Sequence, residues 1–238
     1  MGPHRLACVI AIVGLLCAPG TVRAQFGTPD KAGGGGTGIR LPPTIPIFPL
    51  QDVMLFPNIS RPLHIFEPRY RAMVADALKG DRIIGMVLLR AGYEAEYEGR
   101  PPVYPIGCAG VITDFEELPD GRYVIVLRGL VKFRVTSEDR SRPYRLARVE
   151  AMPEVPDEEQ RASLRRQRPR LTTLLAEAVA PGSEPPSPAL SDEDLVNGLA
   201  QYLDVDAVER QELLEQKDLV SRSQALIDLL EARVRPPR

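Results

Sequence analysis

The residues best suited to nucleophilic chemistry in this chain are one histidine and one cysteine. Outside the first 24 residues, His64 is the single histidine and Cys108 the single cysteine. A thiol and an imidazole need to be adjacent only in space to act as nucleophile and base. However, His64 lies in a strand-like apolar run, and Cys108 lies between Gly107 and Ala109, where a free cysteine is commonly a small buried hydrophobe. We expect structural roles for both, and a hydrolase that uses Cys108 and His64 stays open as an alternative.

The glycine-rich segment near the start of the chain resembles a phosphate-binding loop only in composition. Residues 33–36 are four consecutive glycines, and Gly38 follows. A phosphate-binding loop requires a lysine and then a serine or threonine after its last glycine. Here Ile39 and Arg40 follow Gly38, so we predict a flexible linker over residues 25–43 and no nucleotide site.

Charged side chains occur in two clusters, and neither has the spacing of a catalytic or metal site. Glu67, Arg69 and Arg71 stand at the start of a predicted helix, where an acidic residue is favourable. The second cluster is basic and consists of Arg165, Arg166, Arg168 and Arg170. We expect the second cluster to be a solvated helix face, with an acidic partner as the alternative. We predict no catalytic residue, no cofactor and no metal ligand, since a structural zinc ion usually takes four ligands.

Residues 1–24 have the three-part layout of a secretory signal peptide. A positively charged start precedes an apolar run over residues 6–19, and the sequence V-R-A occupies residues 22–24. The run is shorter than the about 20 residues of a transmembrane helix. We expect cleavage after Ala24 and a periplasmic or secreted protein. A retained anchor, a buried helix and a lipoprotein modified at Cys17 are the alternatives.

Cleavage would make the protein mildly acidic and leave it one cysteine. The full chain has 30 basic and 32 acidic residues, and losing two arginines would lower its formal net charge from −2 to about −4. Such a charge does not favour nucleic acid or an anionic membrane as a partner. A single cysteine cannot form an internal disulfide, so stability must come from a packed core.

Residues 44–151 carry the signals of short strands. The predicted strands are residues 45–50, 83–89, 106–113, 123–127, 131–135 and 144–150. Pro46 and Pro49 indicate an edge or bulged strand at the first of them, and Asp120-Gly121 indicates a hairpin turn. Short strands with Gly and Pro between them predict a small barrel or sandwich.

Helical periodicity appears once among these strands and dominates after residue 156. One apolar stripe is formed by Tyr70, Met73, Val74, Ala77 and Leu78, between Pro68 and Gly80. Further helices are predicted over residues 157–180, with a kink or break at Pro169, then after a Ser191 cap, and over residues 205–216 and 219–234. Short links between these helices predict a small bundle.

Three sequence blocks resemble the N-terminal domain of Lon protease, also called the Lon substrate-binding domain. They read PIFPL at 46–50, VMLFP at 53–57 and PLHIFEPRY at 62–70, and the resemblance extends over about residues 44–234. The family-motif residues to which we assign structural roles are Pro49, Leu50, Phe56, Pro57, Phe66, Glu67, Arg69, Tyr70, Gly107, Asp120, Gly121, Arg122 and Phe133.

The resemblance implies an α+β fold and a binding function. It implies a PUA-like β pseudo-barrel with one inserted helix over residues 44–151, followed by a helical bundle over residues 152–238. A full Lon protease continues into an ATPase and a Ser–Lys protease, for which this chain shows no motif, so we expect a stand-alone, exported, non-catalytic module that binds polypeptide. A scaffold that binds one folded partner through the bundle is the alternative. Met54, Leu55 and Phe56 are the candidate binding residues, unless they belong to the core.

N-terminal sequencing of the exported protein tests the signal peptide. We expect the mature chain to begin at Gln25, because the peptidase reads the small residues that end at Ala24. Retention of the full-length chain in the cytoplasm would contradict export.

Overall fold

The computed structural model describes residues 40–93, 99–178 and 186–234. The predicted signal segment and nearly all of the predicted linker lie outside these residues. The strands are β1 (Thr44–Leu50), β2 (Ser60–Ile65), β3 (Ile83–Leu88), β4 (Ile106–Glu117), β5 (Tyr123–Asp139) and β6 (Arg145–Met152). The helices are α1 (Pro68–Leu78), α2 (Glu158–Ala178), α3 (Asp192–Tyr202), α4 (Ala207–Glu215) and α5 (Leu219–Val234). None of the described helices combines the length and apolar character needed to cross a bilayer.

The six strands form one mixed sheet that closes on itself, as predicted for the pseudo-barrel. The strand order is β2-β5-β4-β3-β1-β6, and β6 also pairs with β5. This second pairing closes a ring of five strands and leaves β2 attached to β5 alone. The β1–β3 pair is parallel, whereas the other pairs are antiparallel. The α+β class predicted from the sequence is therefore confirmed.

The sequence predicted an edge or a bulged strand for β1, and the edge alternative is wrong, because β1 lies between β3 and β6. The registers explain how it accommodates two prolines. Residues 44–47 pair with β6, whereas residues 47–50 pair with β3. Pro46 and Pro49 thus each lie in a half that pairs on one side, where a missing N–H can face away from the ladder.

Two predicted strands merge into the single 17-residue strand β5. The register with β4 shifts where Ala109 pairs with Val131 and Gly110 with Gly129, so the strand continues through an irregularity. A Cβ atom at Gly129 would lie 2.0 Å from the carbonyl oxygen of Phe56. The glycine therefore marks the place where the loop after β1 crosses β5, and not the end of a strand.

The helices begin where capping chemistry predicts. Pro68 opens α1, and the Ser191 hydroxyl accepts a hydrogen bond from the Asp194 N–H at 3.0 Å, as predicted for α3. Asp206 and Glu209 form a reciprocal capping box at α4. α2 is one helix through Pro169, so the predicted break is not observed.

Sheet and helices share one hydrophobic core. The largest cluster of buried apolar side chains contains Phe56 and Ile65 from the β region together with Leu171, Leu213 and Leu226 from α2, α4 and α5. A smaller cluster around Phe133 fills the other part of the barrel. Burial of apolar area on this scale is the main favourable term in folding.

A buried network of charges crosses the boundary between sheet and helices. Arg222 of α5 is fully buried, and its Nη2 donates to both carboxylate oxygens of Glu154, at 2.9 and 3.0 Å. Its Nη1 donates to Oδ1 of Asn197 at 2.8 Å, and its Nε donates to the carbonyl of Leu213 at 2.9 Å. Lys132 of β5 lies 2.9 Å from the same Glu154 carboxylate. Burial lowers the pKa of Lys132, and the attraction of Glu154 only partly offsets that effect.

Truncation of a core leucine in α5 tests the packing of the bundle. Leu226 has no exposed surface, whereas Leu229 on the same helix is partly buried. We expect Leu226→Ala to lower the free energy of unfolding by about 2–5 kcal/mol, because it leaves a cavity. Leu229→Ala is the matched control and should lower the free energy of unfolding by a smaller amount. Equal effects in urea denaturation would show that this helix face is misassigned.

Removal of the Arg222 charge tests the network. Arg222→Met should lower the free energy of unfolding by about 3–5 kcal/mol, because Asn197 and two carbonyls lose their buried donor. Arg165→Met removes an exposed pair with Glu158 and should cost less than about 1 kcal/mol. Similar midpoints and slopes for the two variants in chemical denaturation would refute a structural role for the network.

Candidate functional site

Of the two possibilities for Met54, Leu55 and Phe56, a binding surface or the core, the structure supports the core. Their side chains keep 3, 1 and 0% of their accessible surface, so they belong to the core. The reason lies in α3, whose polar side chains hold the loop backbone. Gln201 Oε1 accepts from the N–H of Phe56 at 2.9 Å, and Asn197 Nδ2 donates to the carbonyl of Pro57 at 3.1 Å. A ligand cannot reach these three side chains without opening the fold.

Sequence reasoning missed the residues that bury this loop, although a signal was present. Asn197 and Gln201 are four residues apart on α3, and both are buried, as are Leu195, Val196 and Ala200 of the same helix. A buried amide must find hydrogen-bond partners, and an irregular loop supplies them. Polar residues inside an apolar helix face therefore indicate contact with unpaired backbone.

The structure does not bring Cys108 and His64 together as a nucleophilic pair. The Cys108 thiol is completely buried on β4 and donates to the carbonyl of Ala109 at 3.5 Å. Burial raises the pKa of this thiol to about 12, which keeps it protonated near neutral pH. His64 instead lies exposed on β2, with its ring 6.0 Å from that of Phe66.

Several family-motif residues have clear steric or turn roles. A Cβ atom at Gly107 would lie 2.3 Å from the carbonyl oxygen of Met86, so the close approach of β3 and β4 requires glycine there. Gly121 has φ of 77° in the hairpin turn, a conformation that favours glycine. The flanking Asp120 and Arg122 form an ion pair at 2.7 Å.

The remaining motif residues lie near the start of α1 or in the core. Glu67 is the N-cap residue of α1, and its carboxylate pairs with Arg69 at 3.0 Å. Tyr70 is buried against Phe48, with ring centroids 4.4 Å apart, and Phe133 is fully buried. Leu50 is partly buried against the core and pairs with Leu88 at the end of the parallel ladder, and Pro49 pairs with Val87 one residue earlier.

The basic cluster on α2 is paired within the chain. Arg165 contacts Glu158 at 2.9 Å, Arg168 contacts Asp192 at 2.7 Å, and Arg170 forms an ion pair with Glu231. Arg166 donates to the Ser163 hydroxyl at 2.8 Å. Three of the four guanidinium groups thus have carboxylate partners of their own, which favours the solvated face over an acidic partner.

The most exposed apolar surface in the β region lies at strand β2. We define the edge patch as Pro62, His64 and Phe66 of β2 and its end, together with Val124 of β5. Phe66 is 61% exposed and Val124 38% exposed, and His64 pairs directly with Val124 across the strands. Directly paired residues project from the same face of a sheet, so these side chains form one surface.

The edge patch borders an open strand edge. Within the described sheet, β2 pairs with β5 and with no other strand. Among the described residues, side chains of α3 bond this edge at its beginning, where Tyr202 OH and Gln201 Nε2 donate to the carbonyl of Ser60 at 2.7 and 3.3 Å. Pro62 lacks an N–H, as is common in edge strands. Residues 62–65 therefore present backbone beside exposed apolar side chains.

The comparisons with known proteins agree on one family. Residues 44–232 match the family described as the ATP-dependent protease La (LON) substrate-binding domain. The chain is 28% identical over 196 residues to Lon protease 2 of Myxococcus xanthus, covering 80% of this chain and 24% of that protein. It is 30% identical over 200 residues to the Lon protease of Trichlorobacter lovleyi, covering 81% of this chain and 24% of that protein. The chain thus spans about a quarter of the length of these relatives.

Solved structures show the same relationship. A Lon N-terminal domain protein from Xanthomonas campestris is 25% identical and superimposes with a TM-score of 0.54, over 78% of this chain and 97% of that one. The N-terminal domain of the Mycobacterium avium complex Lon protease superimposes with a TM-score of 0.58, over 79% of this chain and 98% of that one. Because it is only 17% identical, this second structure supports the fold alone. Because the family match spans most of the chain, this protein belongs to the Lon substrate-binding domain family.

Proposed function

We propose that this chain is a non-catalytic module that binds extended polypeptide on the edge patch, outside the cytoplasm. The observation that carries the proposal is the exposed Phe66 ring beside the open edge of β2. An extended chain that pairs with an open edge gains backbone hydrogen bonds, and its alternate side chains fall beside those of the edge strand. Here these neighbours would be Pro62, His64 and Phe66.

Family membership supports the same function. The matched domain is the substrate-binding part of an ATP-dependent protease, whose substrates are polypeptides. The order of charged, apolar and small residues in segment 1–24 supports the location outside the cytoplasm. The deep burial of Cys108 and its separation from His64 support a module that acts by binding.

The position of the apolar surface favours unfolded clients over one folded partner. A flat interface between folded proteins usually has a central cluster of buried anchors. The edge patch instead combines a few apolar side chains with unpaired backbone, which suits a segment that adds a strand. The scaffold alternative would use the bundle, and it is an outcome of the binding test below.

Substitution of Phe66 tests the proposal. Binding of dye-labelled, reduced and carboxymethylated α-lactalbumin, a permanently unfolded protein, is measured by fluorescence anisotropy. We expect Phe66→Ser to weaken binding about tenfold, because aromatic anchors carry a large share of binding energy. Since Phe66 is mostly exposed, the thermal melt should not change.

Val155→Ser is the matched control. Val155 is 71% exposed but lies between β6 and α2, away from the edge patch, so its substitution should leave binding unchanged. Equal binding by wild type, Phe66→Ser and a Phe66→Ser/Val124→Ser double variant would exclude the edge patch. Binding of a folded protein and of no unfolded one would favour the scaffold.

A further inference from the structure

A concave site that is rich in arginine lies close to the edge patch. A cavity of about 560 Å³ opens where β1 and β3 end and β6 begins, beside the start of α1. Its described lining residues include Arg69, Arg100, Arg140 and Arg145, together with Tyr70 and Tyr144. The volume is within the usual range for ligand pockets, about 300–1,000 Å³. We call this cavity the arginine pocket.

The lining of the arginine pocket is positive, although the whole chain is not. Four of the described lining residues are arginines, and none of them is an aspartate or a glutamate. The chain as a whole has more acidic than basic residues, 32 against 30. A concave wall of one sign of charge concentrates ligands of the opposite sign.

Two of the four arginines are held in place by carboxylates behind the wall. Arg145 is almost fully buried and forms an ion pair with Glu138, and its Nη1 donates to the carbonyl of Pro101 at 2.7 Å. Arg69 pairs with Glu67 at 3.0 Å. These contacts order the guanidinium groups, and they offset two of the four positive charges.

Among the described residues, the other two arginines have no carboxylate within ion-pair distance. Arg100 donates to the carbonyl oxygens of Asp139 and Arg142, both at 3.2 Å. The pKa of Asp139 is lowered, mainly by hydrogen bonding to Ser141 and less by the charge of Arg100. Arg140 is exposed, and its guanidinium forms no ion pair with any part of the chain that the structure describes. Within the described part of the pocket wall, therefore, two of the four guanidinium groups have no carboxylate partner.

The rest of the wall favours an anion that is attached to an apolar chain. Tyr70 and Tyr144 contribute rings, and Pro49 and Leu89 contribute aliphatic surface. The Tyr144 hydroxyl is already engaged, since it donates to Asp76 at 2.9 Å. A guanidinium group recognises a carboxylate through two parallel hydrogen bonds, while the rings and proline faces contact the atoms that carry it.

The arginine pocket and the edge patch are joined through the start of α1. Phe66 of the patch and Arg69 of the pocket are three residues apart, so their Cα atoms lie within about 11 Å of each other. An extended polypeptide advances about 3.3 Å per residue, so a few residues bridge that distance. One ligand can therefore contact both sites.

We propose that the arginine pocket binds a carboxylate of the polypeptide held on the edge patch. This inference rests on the proposed function and adds a chemical preference to it: a client with an apolar stretch followed, within a few residues, by a carboxylate. The carboxylate is either the C-terminus of the client or the side chain of a glutamate or aspartate. Arg100 and Arg140 are the specificity-determining residues, and Arg69 and Arg145 complete the wall.

Four versions of one fluorescent 15-residue peptide test this. The peptide has an apolar stretch followed by two glutamates and a free C-terminus. The other versions have glutamines for glutamates, an amidated C-terminus, or both changes. Affinities are measured by anisotropy at fixed ionic strength for wild type, Arg140→Ala and Arg166→Ala. Arg166→Ala is the matched control, because it removes the same charge from an exposed position on α2.

We expect wild type to bind the fully charged peptide about fivefold more tightly than the peptide without carboxylates. Arg140→Ala should abolish this preference without changing affinity for the neutral peptide, whereas Arg166→Ala should keep the preference. The bound carboxylate is identified by the single modification, glutamine for glutamate or the amidated C-terminus, that lowers wild-type affinity to that of the neutral peptide.

Equal wild-type affinities for the four peptides would overturn the inference and leave the proposed function standing. If Arg140→Ala and Arg166→Ala lost the preference for the charged peptide equally, the inference would also be overturned, because the preference would then depend on the overall charge of the protein and not on the pocket. Failure of every peptide to bind would refute the proposed function and this inference together.

Discussion

The buried guanidinium of Arg222 satisfies several groups that would otherwise be unpaired between sheet and helices. The last carbonyl groups of α4 have no hydrogen-bond partner within the helix. Arg222 satisfies two of them by donating to the carbonyl oxygens of Leu213 and Leu214. Lys132 donates to the carbonyl of Gln216, one residue beyond α4, at 2.6 Å. Two cations thus lie at the negative end of one helix dipole, and both form an ion pair with the Glu154 carboxylate. If one member were absent, a charge or a carbonyl would be left buried without a partner.

This network also holds the family-motif loop after β1 in its buried position. The Arg222 guanidinium lies 5.6 Å from the centre of the Phe56 ring, and Asn197 binds both Arg222 and the carbonyl of Pro57. α3 side chains bond the loop backbone at Phe56 and Pro57, and Gly129 of β5 bonds it at Asn58 and Ile59, so these polar groups are satisfied although the loop is irregular. The most distinctive apolar residues of the sequence therefore act at the seam between sheet and helices, and any binding surface must lie elsewhere.

The proposed binding surface is arranged around the segment between β2 and α1. Pro68 begins the helix two residues after the exposed Phe66, so the chain passes directly from the sheet edge to the pocket wall. Phe66 projects outward before the turn, whereas Tyr70 is buried after it. Glu67 and Arg69 pair between them and fix the direction of the turn. The proposed edge patch and the wall of the arginine pocket thus meet within five consecutive residues.

The sequence by itself determined the α+β class, the α1 stripe, the Ser191 cap and the family, because each depends on spacing within a short window or on a continuous motif. It did not determine the placement of β1 inside the ring or the continuity of β5, since both depend on partners far along the chain. Burial of Met54, Leu55 and Phe56 depended on amides of α3 more than 140 residues away. Likewise, four arginines from α1, the β3–β4 connection and the segment from the end of β5 to the start of β6 line one pocket only after these segments are packed together. Local patterns encode which elements form, whereas exposure and charge clustering are properties of the surface that remains after packing, and only the tertiary structure decided them.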